Sequence, residues 1–197
     1  MTLTKKQLDA IRRIISSCEH HPAHKDRAGE MEVSDGAIIT DGVVLIHAPE
    51  SIGFKKPNRS DPQLAERMNR KYLSSYDPYS ADFYMVEEPI PMLKTASTLR
   101  ARLKERTFLS DNGQHTCVSL SAHDGRGNEI WSVFDYGSVV AAFEAVGKSA
   151  VGYIGNSGGM DCPRPYLIVE PDGDYGDPRR GIHALVLPVR TRREARP

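Results

Sequence analysis

A chain of 197 residues with 26 Lys+Arg against 26 Asp+Glu has no formal net charge, so any attraction to nucleic acid must come from segregated charge rather than from the total. At 39% hydrophobic and 26% charged, the composition is that of a globular protein with a sizeable core, not of a disordered chain. Cys18, Cys117 and Cys162 are too few and too scattered for a disulfide framework, and no apolar run reaches signal-peptide or bilayer length, which together predict a cytoplasmic protein.

The first elements predicted are a short strand, Thr2 to Thr4, and an amphipathic helix reaching Cys18. Leu8, Ile11, Ile15 and Cys18 recur at helical spacing and define its expected apolar stripe, with Lys5, Lys6, Arg12 and Arg13 on the opposite side. Thr4 followed by Gln7 fits a capping box. The stretches "EMEVSDG" and "AIITDGVVLIHAP" then read as strands joined by Asp-Gly turns.

Residues 51–81 change texture, being rich in Pro, Ser, Asp and Tyr, and read as an insertion or long connection holding a short helix from Gln63 to Tyr72. Order resumes with a strand in "DFYMVEEPI" and a helix in "PMLKTASTLRARLKER". Met92, Ala96, Leu99 and Leu103 make the apolar stripe of that helix, and Lys94, Arg100, Arg102, Lys104 and Arg106 occupy the rest of its surface. Two strands, "HTCVSLSAH" and "NEIWSVFDY", follow. A third helix, "SVVAAFEAVGK", has Gly147 placed as its C-cap, and "SAVGYIGN", "YLIVEPDG" and "GIHALVLPVR" are the closing strands.

A helix with two or three strands thus recurs at a period of about 50 residues. The units span residues 1–50, 82–131 and 132–192, and a polar tail covers 193–197. The fold class expected is α+β, with repeated β-α-β-β units whose helices pack on one face of antiparallel sheets.

Two stretches give the chain a resemblance to the DNA sliding clamp superfamily, particularly the bacterial beta subunit of the replicative polymerase. "ITDGVVL", Ile39 to Leu45, resembles the clamp motif alanine-threonine-aspartate-glycine-histidine-arginine-leucine at Thr40, Asp41, Gly42 and Leu45, and departs from it at Ile39, Val43 and Val44. "ALVLPVR", Ala184 to Arg190, is similar to the aliphatic stretch and Met-Pro-Met-Arg run that ends bacterial clamps; Pro188 and Arg190 match, with Leu187 and Val189 in the methionine places.

The resemblance implies an apolar pocket for a polymerase or repair-protein peptide, formed here by Thr40, Gly42, Leu45, Val186, Leu187, Pro188 and Val189. It also implies helices that line a ring and touch duplex DNA without reading sequence, which would engage Lys5, Lys6, Arg12, Arg13, Lys94, Arg100, Arg102 and Lys104. It implies a homo-oligomer and a non-catalytic, processivity-type role with no cofactor.

The competing chemistry lies in "CEHHPAH". Cys18, His20, His21 and His24 offer four zinc-compatible donors, so a small metal-dependent hydrolase or zinc-binding protein is the alternative reading. No second Cys/His pair sits at ligand spacing, where a folded zinc site draws ligands from two segments. "YIGNSGGMD" lacks both the phosphate-loop and the nucleophile-elbow spacing. Asp172, Asp174 and Asp177 lack the terminal glutamate of a calcium loop.

Overall fold

The structure, a computed structural model, describes residues 2–19, 29–33, 36–41, 43–54, 83–85, 107–110, 113–123, 129–147, 149–156, 165–171 and 181–189. Helix α1 (Lys5–Glu19) starts where Thr4 caps it. The Gln7 amide N–H donates to Thr4 Oγ1 at 3.3 Å, and the Thr4 N–H donates back to Gln7 Oε1 at 3.1 Å, which is the capping box expected. Thr2–Thr4 is not a strand, in contrast to the sequence reading; those residues instead lead into the cap.

The buried arc of α1 also differs from the stripe read from sequence. Ala10, Ile11 and Ile14 are buried, whereas Leu8 and Ile15 are only half-buried. The cause is the partner surface. α1 packs chiefly against the other described helix rather than flat on the sheet, and small Ala10 permits that close approach.

That second helix, α2 (Tyr136–Val146), is capped at both ends. The Asp135 carboxylate accepts the Ser138 N–H at 2.7 Å, and the Gly147 N–H donates to Phe143 O at 3.0 Å. Every residue from Val139 to Val146 is buried. An apolar helix of this kind needs cover on all sides, and it has α1, the large sheet and a smaller sheet around it.

The large sheet is antiparallel throughout. Its strands are β1 (Gly29–Val33), β2 (Gly36–Thr40), β3 (Val44–Ala48), β4 (Phe83–Met85), β8 (Ala150–Asn156), β9 (Pro165–Pro171) and β10 (His183–Val186), in the order β1-β2-β3-β10-β9-β8-β4. The smaller sheet joins β5 (Thr107–Leu109), β6 (Thr116–His123) and β7 (Glu129–Asp135), and β7 runs directly into α2. The architecture is therefore mixed α+β, with antiparallel sheets. No described helix is long and apolar enough to cross a membrane.

Connectivity gives the sheet a two-part arrangement. α1 is followed by β1, β2 and β3, and α2 is followed by β8, β9 and β10. The two strand triplets meet where β3 pairs with β10, in register Val44↔Val186 to His47↔His183. The helices predicted at Gln63–Tyr72 and Pro91–Arg106 lie outside the described residues, and β7 crosses positions 131 and 132, where two sequence units were divided.

Period-two alternation sends side chains to both faces of this sheet. Ile39, Val44, Ile46, Leu167, Val169, Ala184 and Val186 join the core beneath the helices, together with Val118, Leu120 and Phe134 of the small sheet. Ile38, Leu45, Val151, Tyr153, Tyr166, Ile168 and Leu185 form a second buried cluster on the opposite face. Close approach at α2 depends on Gly152, since a Cβ there would lie 2.9 Å from Phe143 Cζ.

Candidate functional site

The β2–β3 corner is built around Asp41. Its carboxylate accepts the Val43 and Val44 N–H groups at 2.7 and 2.6 Å, and its own N–H donates to Val44 O at 3.2 Å. The adjacent Thr40 hydroxyl donates to Val44 O at 2.8 Å. A carboxylate that accepts two backbone donors at a turn performs the Asx role expected of this residue type.

Beyond β10 the chain continues as a strap. The Leu187 N–H donates to Val43 O at 2.9 Å, and the Val189 N–H donates to Val133 O at 2.8 Å. Residues 187–189 thus run from the β3 corner to the small sheet, which explains why strand pairing with β3 ends at Val186.

Of the pocket residues named from sequence, Thr40 and Leu45 are cross-strand partners in register, and Leu187 packs against the same cluster as Leu45. These three share a face. Val186 does not: it is fully buried in the helix-side core, so it cannot wall a pocket with Leu45. Its separation from Leu187 follows from alternation along the chain. Pro188 and Val189 are half-buried in the strap, and Gly42 lies outside the described residues.

The same face holds residues that the expected pocket did not include: Ile38, Leu185, His47, His183 and Glu170. The signal for the first four was available. Counting two back from Thr40 reaches Ile38, two on from Leu45 reaches His47, and two and four back from Leu187 reach Leu185 and His183. Glu170 needed the β9–β10 register, which no local pattern supplies.

On the helix face, Lys5 and Lys6 are exposed in the first turn of α1. The other two cations expected there are engaged. Arg12 pairs with Asp9 at 3.2 Å, and the half-exposed Arg13 guanidinium pairs with the buried Glu144 carboxylate of α2. Lys94, Arg100, Arg102 and Lys104 lie outside the described residues. A cavity of about 360 Å³ opens between the helices beside Arg13, Asp41, Asp135 and Tyr136. Another of about 290 Å³, lined by Leu3, Leu8, Ile52 and Ile182, lies at the start of α1.

The donor cluster of the alternative reading is not placed. Cys18 belongs to α1 by backbone, while His20, His21 and His24 fall outside the described residues. Among the described residues, no group of three or more His, Cys, Asp or Glu side chains is arranged to hold a metal ion.

A comparison with protein-family models finds no matching family. A comparison with curated proteins likewise finds no match.

Proposed function

We propose that this chain is a non-catalytic tethering factor of sliding-clamp type, which holds duplex DNA by a helical face and a partner peptide by an apolar surface on the other side of its sheet. The observation that carries this reading is the two-part sheet. Two helices, each followed by three antiparallel strands, pack side by side on one face, with the triplets joined at β3 and β10. An architecture of this kind separates two surfaces by the thickness of one sheet. A protein that slides needs just such a division between DNA on one side and cargo on the other.

Sequence-independent binding requires cations that reach phosphates without reading base edges. Lys5 and Lys6 meet this requirement at the exposed start of α1, where the helix N-terminus adds its own partial positive charge. Peptide capture requires an apolar anchor beside backbone groups. Half-buried Leu187, packed against the cluster that holds buried Leu45, supplies the anchor, and the strap of residues 187–189 supplies the backbone. A ring would form from several copies of the chain.

The test is retention on duplex DNA with free and with blocked ends, combined with mass in solution from light scattering. A tethering clamp forms a discrete oligomer, binds unrelated sequences equally, loses affinity steeply with salt, and is held longer when the ends are blocked. A strict monomer that shows no salt-sensitive DNA retention would sink the reading.

A further inference from the structure

A capping box needs an acceptor on the third helical residue, and glutamate or glutamine serves equally well there. The box of α1 uses Gln7, and the structure gives that choice a second use. Gln7 Oε1 accepts the Thr4 N–H at 3.1 Å and the Thr4 hydroxyl at 3.0 Å. Gln7 Nε2 donates to Ala145 O at 3.0 Å and to Val146 O at 3.1 Å, 138 and 139 residues further along the chain. The neighbours fix which way the carboxamide points. A backbone N–H can only donate and a carbonyl can only accept, so the oxygen faces Thr4 and the nitrogen faces α2. An ionised glutamate has no hydrogen to donate and could fill only the first half of this role.

Ala145 O and Val146 O are among the last four carbonyls of α2, which have no partner within their own helix. The start of α1 thus closes the end of α2, positive helix end against negative. The approach is close: a Cβ built on Gly147 would lie 3.4 Å from Gln7 Nε2. One peptide unit is gripped from both sides. The Val146 C=O accepts from Gln7, while the N–H of the same peptide, on Gly147, donates to Phe143 O at 3.0 Å. Gly147 O in turn accepts the Ala150 N–H at 3.3 Å, where β8 begins.

We propose that Gln7 is a relay that couples the first turn of α1 to the α2–β8 corner through a single carboxamide. The group is planar, so holding its oxygen at Thr4 fixes where its nitrogen points. Thr4 therefore acts on a corner to which it is joined only through Gln7. The same turn carries Lys5 and Lys6, and whatever orders or loosens it is felt at the far end of α2. This coupling belongs to the fold and does not depend on what the lysines bind.

Amide hydrogen exchange on the full chain at a single pH tests this, with Gly147 and Ala150 read against β6 and β7 in the same samples. Gln7→Glu keeps an acceptor for Thr4 and removes both donors to α2. Gly147 exchange is expected to rise about tenfold relative to the reference, the worth of about one or two net hydrogen bonds. Thr4→Ala changes no atom bonded to α2, yet is expected to quicken Gly147 exchange roughly threefold, as one hold on the carboxamide is lost. In a Gln7→Ala background the same Thr4 change should leave Gly147 where Gln7→Ala put it.

Gly147 exchange that stays level with β6 and β7 in Gln7→Glu overturns the proposal. So does a Thr4→Ala effect at Gly147 that is absent, a result that requires no change at Gln7. A Thr4→Ala effect equal in size with and without Gln7 overturns it as well, since that is a general loosening of α1 and not a relay.

Discussion

Arg13 of α1 reaches across to Glu144 of α2 and closes over a carboxylate that is only 2% exposed, while the arginine itself stays 53% exposed. This is the one charged residue in the helix. The pair fixes how α1 lies on α2, because a buried carboxylate needs charged or hydrogen-bonding company. Arg13→Ala is expected to lower unfolding free energy by about 1–3 kcal/mol, short of the full cost of breaking a buried pair because water already reaches the guanidinium. Chemical denaturation of Arg13→Ala, Glu144→Gln and the double variant measures it. Additive effects in that cycle would mean the two side chains do not depend on each other.

The same ion pair bears on DNA contact. Arg13 is committed to Glu144 and Arg12 to Asp9, so the phosphate contacts proposed for α1 fall to Lys5 and Lys6 in its exposed first turn. Converting both lysines to Gln should reduce the magnitude of the slope of log affinity against log salt by roughly two, at about 0.9 per phosphate contact. Arg12→Gln should change the slope by much less. Equal slopes for the unaltered protein and the double lysine variant would remove this end of α1 from the DNA face.

What could be read from the sequence followed the range of the interactions involved. The Thr4–Gln7 cap, the Gly147 C-cap and the hairpin at Thr40–Asp41 depend on neighbours within a few residues, and all three are present. The arc of α1 depends on what it packs against. Ala10 and Ile14 became core because α2 lies there, and a helical wheel alone ranks a stripe through Leu8 and Ile15 equally well. The residues proposed for a peptide pocket are not all on one face. Thr40, Leu45 and Leu187 share a face, but Val186 was grouped with them by adjacency in sequence, and adjacent residues in extended chain point to opposite sides. His47, His183 and Glu170 come from three strands and meet only through pairing of distant segments.

Gly152 offers a sharper packing test. Its missing side chain leaves room for the Phe143 ring, which an added Cβ would approach to 2.9 Å at Cζ and 3.6 Å at Cε2. Leu167 Cδ1 stands 3.4 Å away on the neighbouring strand, so the ring has little space to yield. Gly152→Val is expected to cost about 1–3 kcal/mol through overpacking. Adding Phe143→Leu should restore part of that loss, because a shorter side chain vacates the same space. If the double variant is less stable than either single one by the full sum, the two positions are not in steric conflict.

Asp41 tests whether the β2–β3 corner is held by its carboxylate or merely by hydrophobic strands on either side. The residue is 3% exposed, and one oxygen, Oδ1, accepts both the Val43 and Val44 N–H groups. Asp41→Ala removes the acceptor and leaves two donors at a partly buried turn, for an expected loss of about 1–3 kcal/mol. Asp41→Asn keeps an oxygen in place and should lose less, since what it forfeits is the added strength of a charged acceptor. The consequence reaches the strap, because Val43 O is the acceptor for the Leu187 N–H. Exchange of the Leu187 amide should therefore quicken in Asp41→Ala while that of β9 holds. An unchanged Leu187 amide alongside a measurable drop in stability would show that the turn and the strap are anchored separately.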